Sequence, residues 1–449
     1  MLPQKNNVVT HAAVGDWAFE QDELSSPWAK LGQRWGHPWH AMCSYLGTFP
    51  ASLAHAMIAL LSEKGDVIMD PFSGRGTTLL EGRILGRKAL VSDLNPMAVA
   101  LSRAKNTDVT LAQALDEIEV LRSAYDRVMY LPEAHVQPDD VLLIYSPETL
   151  AQLCYLRRRL LKSDSDVRAF LLGALLGVMH GAERQDGSSA YASISMPNTF
   201  SMSPNYVRRF VETKQLNRIG RDVFTILSEK VERLFKSDPP FGEKGCVAAC
   251  DSQQITQAPQ FVEYHGKVKL VISSPPYLGV VNYAKQNWIR NWLLEPADYF
   301  GREKDLSDNL TLPSWLDFIE ATIEQLKTFL TDDGVIVLVV GDVVSNTSHI
   351  NLARHLIHRL RHDRVFSYIG VFDDHIGHDI KTTRIWKDTK GKATATDRII
   401  VLSNKEPHFN IHEMAISLGI GEHNQAVLRG IDPSSLAETA RLMAGTGSL

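Results

Sequence analysis

The chain has 449 residues, 44% of them hydrophobic and 22% charged, and carries a net charge of −5 at pH 7. That length exceeds what one hydrophobic core ordinarily serves, and the composition is that of a soluble globular protein rather than a uniformly basic nucleic-acid binder, so contact with nucleic acid would fall to a local basic face. No unbroken apolar run reaches the length of a membrane span and Met1–Asp16 lacks the pattern of a secretory leader, so a cytoplasmic protein with no membrane partner is expected.

Residues 1–30 read as an N-terminal arm. An aromatic-rich stretch follows, then a helix around Leu53–Leu61, broken at Gly65-Asp66. Val67–Asp70 reads as a buried strand, Pro71–Gly76 as a loop, Thr77–Leu85 as a helix, Ala89–Asp93 as a second strand and Met97–Lys105 as a second helix. Strand, glycine loop, helix, strand is half of a doubly wound nucleotide-binding sheet. Residues 31–106 are therefore the first segment of a sheet domain.

Residues 107–240 carry helical periodicity with few strand signals and read as a helical insertion, closed by the linker Ser237-Asp238-Pro239-Pro240. Within it, 201–236 holds eight Lys or Arg, among them Arg208, Arg209 and Lys214, against four acids. Arg157-Arg158-Arg159 is a second basic cluster. The α/β pattern resumes over 241–405, with strands at Val247–Asp251, Val268–Ser273, Gly334–Gly341, Val365–Phe372 and Arg398–Leu402, and helices at Trp315–Leu330 and Ile350–Leu360. Residues 406–449 read as a helical tail.

Asp70-Pro71-Phe72-Ser73-Gly74-Arg75-Gly76-Thr77-Thr78 ends a strand and opens a helix. Glycines at alternate positions let the backbone turn tightly and come close to a ligand, and the helix N-terminus offers free N–H groups. Asp93, at the end of the next strand, suits hydrogen bonds from ribose hydroxyls. Leu79 stands where the dinucleotide fingerprint has its third glycine, and no Lys occupies the P-loop position. The loop therefore predicts an adenosine-bearing cofactor that is neither NAD nor ATP.

Ser274-Pro275-Pro276-Tyr277 follows another strand. Two prolines fix φ twice and leave carbonyls without competing donors. An exocyclic amino group of a nucleobase is a poor nucleophile because its lone pair is delocalised into the ring. The Ser274 hydroxyl and Pro275 carbonyl are acceptors that would favour a pyramidal nitrogen and stabilise the charge developing on it. Tyr277 could stack on a base taken out of the duplex.

The string at 70–78 resembles motif I, and Ser274–Tyr277 motif IV, of the amino-group DNA methyltransferases, in which Ser-Pro-Pro-Tyr is most often seen in cytosine-N4 enzymes and Asp or Asn more often begins the tetrad of adenine-N6 enzymes. Tyr45–Ile58 looks like the family's motif X, Asp93 matches the motif II acid, Asp251 resembles the motif III acid near the adenine, and Gly334–Gly341 resembles motif VI. The resemblance implies a Rossmann-like methyltransferase sheet domain interrupted by a mainly helical insertion. It implies S-adenosyl-L-methionine held by Asp70, Pro71, Phe72, Gly74, Gly76, Thr77, Thr78, Asp93 and Asp251, with Ser274, Pro275, Pro276 and Tyr277 as the catalytic corner. It further implies double-stranded DNA as partner, in a restriction-modification or defence system with a cognate restriction endonuclease. The motif order is alpha-type, but the insertion precedes Asp251. Adenine N6 is the near rival target, RNA base methylation a third reading, and a DNA-binding module with a relic cofactor site a fourth. No cysteine follows a proline, which argues against the cytosine-C5 mechanism.

Weaker signals stay open. Arg208, Arg209, Lys214 and Arg384, the last among Lys381, Lys387, Lys390 and Lys392, are the candidates for DNA backbone contact; a solubilising role accounts for the 381–392 run equally well. The hydroxyl-rich Ser193–Tyr206 could line a DNA cleft or cap the next helix. Tyr283, Asn287, Trp288, Arg290 and Trp292 could shape a base pocket, although a packed helix face suits Trp288 and Trp292 better. Asp373-Asp374-His375 and His378-Asp379 read as a solvated loop, and Cys43, Cys154, Cys246 and Cys250 show neither a disulfide framework nor zinc spacing, so no metal is expected.

Overall fold

The computed structural model describes residues 36–196, 203–240, 242–276, 283–296, 310–344, 349–362, 366, 368–375 and 396–404, together with the short strands Ala12–Ala13, Ala18–Phe19 and Glu23–Leu24. Seven strands build the main sheet: β1 (Val67–Asp70), β2 (Lys88–Asp93), β3 (Cys246–Ala249), β4 (Val268–Ser273), β5 (Leu330–Gly341), β6 (Tyr368–His375) and β7 (Thr396–Ser403). Their order is β3-β2-β1-β4-β5-β7-β6, with Glu23–Leu24 added beside β6. The pairs from β3 to β5 are all parallel, whereas β7 runs antiparallel to both β5 and β6. The chain moves outward from β1 to β3 and then returns to β4 on the other side of β1. The topological switch point, where open α/β sheets bind ligands, thus lies between β1 and β4.

Residue alternation assigns each strand to two faces. Along β5, Ile336, Leu338 and Val340 join one core with Trp315, Ile319 and Leu356, while Val335, Val337 and Val339 join another with Leu53, Ile58 and Leu79. β4 and β7 divide in the same way, Val271 and Ile400 on the first face, Ile272 and Ile399 on the second. Central strands covered on both faces read as continuous apolar runs, which is why Gly334–Gly341 was legible.

The helices are α1 (Ala51–Leu61), α2 (Thr77–Ile84), α3 (Pro96–Lys105), α4 (Leu111–Ser123), α5 (Arg127–His135), α6 (Asp139–Leu142), α7 (Pro147–Leu161), α8 (Asp166–Leu176), α9 (Pro204–Lys214), α10 (Val223–Leu234), α11 (Tyr283–Leu294), α12 (Leu312–Lys327) and α13 (Leu352–His362). The insertion is helical throughout its described elements, α4 to α10. It shares one core with the sheet domain: Leu156, Phe170, Leu175 and Phe224 pack with Trp39, Met97, Leu101, Trp288 and Trp292.

Several element bounds differ from the sequence reading, three of them with an evident cause. α12 spans Leu312–Lys327 because Thr311 caps it, its side chain accepting from the Ser314 N–H at 3.4 Å, and Pro313 sits in the first turn. β5 starts at Leu330, its register on β4 slipping between Val268 and Leu270 to take in Thr331–Gly334. The loop reading of Asp373-Asp374-His375 is corrected: these residues end β6, paired with Arg398, Asp397 and Thr396. Polar composition suggested a turn, but the ladder to β7 supplies backbone partners that composition does not reveal. Among the described residues, no helix is long and apolar enough to cross a membrane.

Candidate active site

β1 delivers Asp70 to the switch point, and the chain turns at once. Gly74 (φ +49°) and Gly76 (φ +74°) adopt left-handed backbone that glycine alone takes without strain. A Cβ on Gly76 would stand 3.0 Å from Ser102 Oγ and 3.3 Å from Ser102 Cα, so this glycine also lets α3 approach the loop. Ser102 Oγ donates to Ser73 Oγ at 3.2 Å, and the buried Lys105 Nζ donates to the Arg75 carbonyl. The loop is thus held from behind by α3.

Asp70 is 1% exposed, and its carboxylate faces the protein. It accepts from Thr78 Oγ1 at 2.7 Å, from the Phe72 N–H at 3.1 Å and from Ser273 Oγ. Burial pushes its carboxyl up to about 6, against these three hydrogen bonds. Asp70 therefore ties β1, α2 and β4 together. Gly76, Thr77 and Thr78 likewise lie outside the pocket lining and shape the loop and the start of α2.

A cleft of about 620 Å³, counted with its open mouth, lies at the carboxyl edge of the strands. Pro71, Phe72, Gly74 and Asp93 line it from the first half of the sheet, and Asp251 from the second. Asp93 accepts from the Gly74 N–H and the Asn95 N–H, both at 2.9 Å, so the end of β2 fixes the glycine loop. Burial pushes its carboxyl to about 6, with the nearby Asp70 adding to the rise. A carboxylate offers about four lone-pair sites, so Asp93 keeps capacity for ribose hydroxyls. Asp251 caps the short helix that follows it through the Gln253 N–H at 2.9 Å. Apolar rings, two acids and a close backbone together suit an adenosine cofactor: faces for the base, acceptors for the sugar and room at the loop.

The same cleft is lined by Ser274 and Pro276, while Pro275 is buried behind them. Loop and corner end neighbouring strands, registered Met69 on Val271, and therefore open on one space. Tyr277 and Arg384 lie outside the described residues, as do His378 and Asp379. No cluster of metal-ligating side chains occurs among the described residues.

The basic segment resolves into two kinds of cation. Arg208 pairs with Asp140 at 3.3 Å, Arg221 with Glu183, Arg218 donates to the Leu142 carbonyl at 2.6 Å, and Lys230 donates to the Ala41 carbonyl at 2.7 Å. Arg209 and Lys214 on α9 are exposed; among the described residues Arg209 makes a weak bond to the Asn205 carbonyl at 3.4 Å and Lys214 meets no acid or carbonyl. In the hydroxyl-rich run, Ser203 caps α9 and Ser195 accepts from the Glu183 N–H at 3.1 Å. Trp288 and Trp292 are fully buried, and Arg290 donates to the Leu176 carbonyl at 3.1 Å, so this face of α11 packs.

Tyr45 and Gly47 of the motif X stretch line the cleft, and several further lining residues escaped the sequence reading: Leu94, Asn95, Cys250, Ser252 and Phe318. Asn95 had a signal, the Asn-Pro pair that caps α3; its Oδ1 accepts from the Met97 N–H at 3.0 Å and its Nδ2 donates to the Tyr45 hydroxyl at 3.1 Å. Cys250 reads as an ordinary small residue but faces the cleft, its thiol pushed up by burial. Phe318 gave no sign, since an aromatic on an amphipathic helix usually serves the core.

Residues 22–104, which carry the glycine loop and Asp93, match the family described as DNA methylase, of the N6/N4 type. None of the curated proteins compared with the chain matches it. Among solved structures, the precorrin-8w decarboxylase of Methanobacterium thermoautotrophicum is 8% identical, with 80% of this chain and 93% of that one covered and a TM-score of 0.29. An rRNA methylase from Streptococcus thermophilus is 6% identical over 80% of this chain and 98% of its own, with a TM-score of 0.30. The rRNA methyltransferase AviRa from Streptomyces viridochromogenes is 11% identical over 81% and 90%, with a TM-score of 0.29. The family match, with the loop and acid it contains, supports a methyltransferase.

Proposed function

We propose that the protein transfers a methyl group from S-adenosyl-L-methionine to the exocyclic N4 of a cytosine in duplex DNA. One observation carries this reading: the glycine loop with Asp93 and the Ser274–Pro276 corner line a single cleft at the switch point of the sheet. When bound, the cofactor supplies an electrophilic methyl. The chain's own residues bind and orient. Asp93 and Asp251 offer acceptors on the cofactor side, and Phe72 and Leu94 offer apolar surface. Ser274 and the Pro275 carbonyl are acceptors for an amino group, the latter preorganised by the stiffness of the double proline. A base must leave the helix to reach this cleft. Arg209 and Lys214 supply cations for the phosphate backbone.

Incubation with unmodified duplex DNA and methyl-labelled cofactor, followed by mass spectrometry of the nucleosides, tests the reading. Labelled N4-methylcytosine is expected. Labelled N6-methyladenine would keep the class and replace the base, a reading supported by the N6/N4 family match. Label in structured RNA and none in DNA would overturn the DNA assignment.

A further inference from the structure

The double proline leaves one torsion of the corner unset. Pro276 restrains the backbone of Pro275 before it, but the peptide plane that carries the Pro276 carbonyl depends on ψ of Pro276, which no ring closes. A donor from elsewhere must fix it. Trp315 on α12, fully buried, donates its indole N–H to the Pro276 carbonyl at 2.7 Å.

The same helix touches the other walls of the cleft. One turn on, Phe318 lines the cleft and lies against Phe72 of the glycine loop, ring centroids 5.7 Å apart at 48°. A further turn on, Thr322 Oγ1 and Ser252 Oγ are 3.0 Å apart, and Ser252 lines the cleft beside Asp251. Gln325 Oε1 then accepts from Thr256 Oγ1, in the short helix that Asp251 caps. Positions 315, 318, 322 and 325 fall on one face of α12. A single rigid element thus holds corner, cofactor loop and acid segment at fixed spacing.

We infer that Trp315 is a positioning residue for the corner and that α12 couples occupancy of the cofactor pocket to the corner's geometry. This inference rests on the methyl-transfer reading above. It needs Trp315 to act through its N–H, and not through its bulk alone.

Two substitutions separate these roles. Trp315→Phe removes the N–H and part of the ring. Site-specific replacement by 3-benzothienylalanine exchanges the N–H for sulfur at nearly constant shape. Both are expected to lower kcat about tenfold, the scale of one lost hydrogen bond, while affinity for S-adenosylhomocysteine changes less than about twofold. An unchanged kcat in the sulfur variant would overturn the positioning role, as would a parallel loss of cofactor affinity and thermal stability. A second readout needs no turnover. In ¹⁵N-tryptophan-labelled protein, the Trp315 indole resonance, assigned by its absence from Trp315→Phe, should shift when S-adenosylhomocysteine is added and stop shifting in Phe318→Leu. A resonance indifferent to the ligand would overturn the coupling. A wild type that methylates no nucleic acid would sink the functional reading, and the indole resonance would still decide whether α12 links the two walls.

Discussion

The carboxyl edge of the sheet and the helical insertion both gather polar groups, and they spend them differently. At the sheet edge, Asp93, Asp251 and Ser274 converge on one cleft. In the insertion, Arg208, Arg218, Arg221 and Lys230 converge on protein atoms, whereas Arg209 and Lys214 on α9 are exposed with little local engagement. Local net charge therefore overstates the insertion as a nucleic-acid surface, because most of its cations hold the helices in place. Convergence on a cleft is the more informative sign.

The largest blow to the sheet-edge half of this contrast should be Gly76→Val. A branched side chain at φ +74°, with its Cβ against Ser102, is expected to lower stability by about 2 kcal/mol and to abolish measurable cofactor binding. Denaturant unfolding and calorimetric titration with S-adenosylhomocysteine check it; wild-type affinity would show that the loop does not form the pocket.

Asp93→Asn sharpens the contrast through pH. The Asp93 carboxyl is pushed up to about 6, as is that of Asp70 behind it. A raised carboxyl favours the folded state in its protonated form, so this stability is whole below the unfolded value of 3.8 and is lost as pH rises through about 6. Cofactor affinity should run the other way, falling as pH drops through about 6 and Asp93 loses its charge. The Asn variant is expected to bind about tenfold more weakly at pH 8 and to lose most of the pH dependence of affinity. An unaltered pH profile would transfer the effect to Asp70.

How much of this was legible follows the same division. Asp70 and the alternate glycines announced a cofactor loop, and the double proline announced a rigid corner, because backbone requirements leave few residue choices. Their meeting in one cleft followed from strand order. What stayed hidden was made by partners distant in sequence. Asp70 turned inward because Ser273, two hundred residues on, and Thr78 engage it. Trp315 and Phe318 looked like core residues because they are core residues that also touch the site. The acids and carbonyls that the cations of the basic segment meet were hidden for the same reason.

The smallest expected effects belong to α9. Arg209→Ala and Lys214→Ala should each reduce the slope of log affinity against log salt for duplex DNA by about 0.9, with transfer on saturating DNA unchanged. Arg208→Ala, already tied to Asp140, should change it less. Equal effects from all three would erase the distinction between engaged and available cations.

The central claim is that corner and cofactor pocket are two walls of one site. Ser274→Ala tests it most directly, with cofactor affinity and the rate of methyl transfer to duplex DNA measured on the same preparation. Affinity for S-adenosylhomocysteine within about twofold of wild type, with kcat reduced about a hundredfold, is the predicted result for losing one preorganised group at the transition state. Transfer at the wild-type rate would contradict the claim and place the chemistry elsewhere in the molecule.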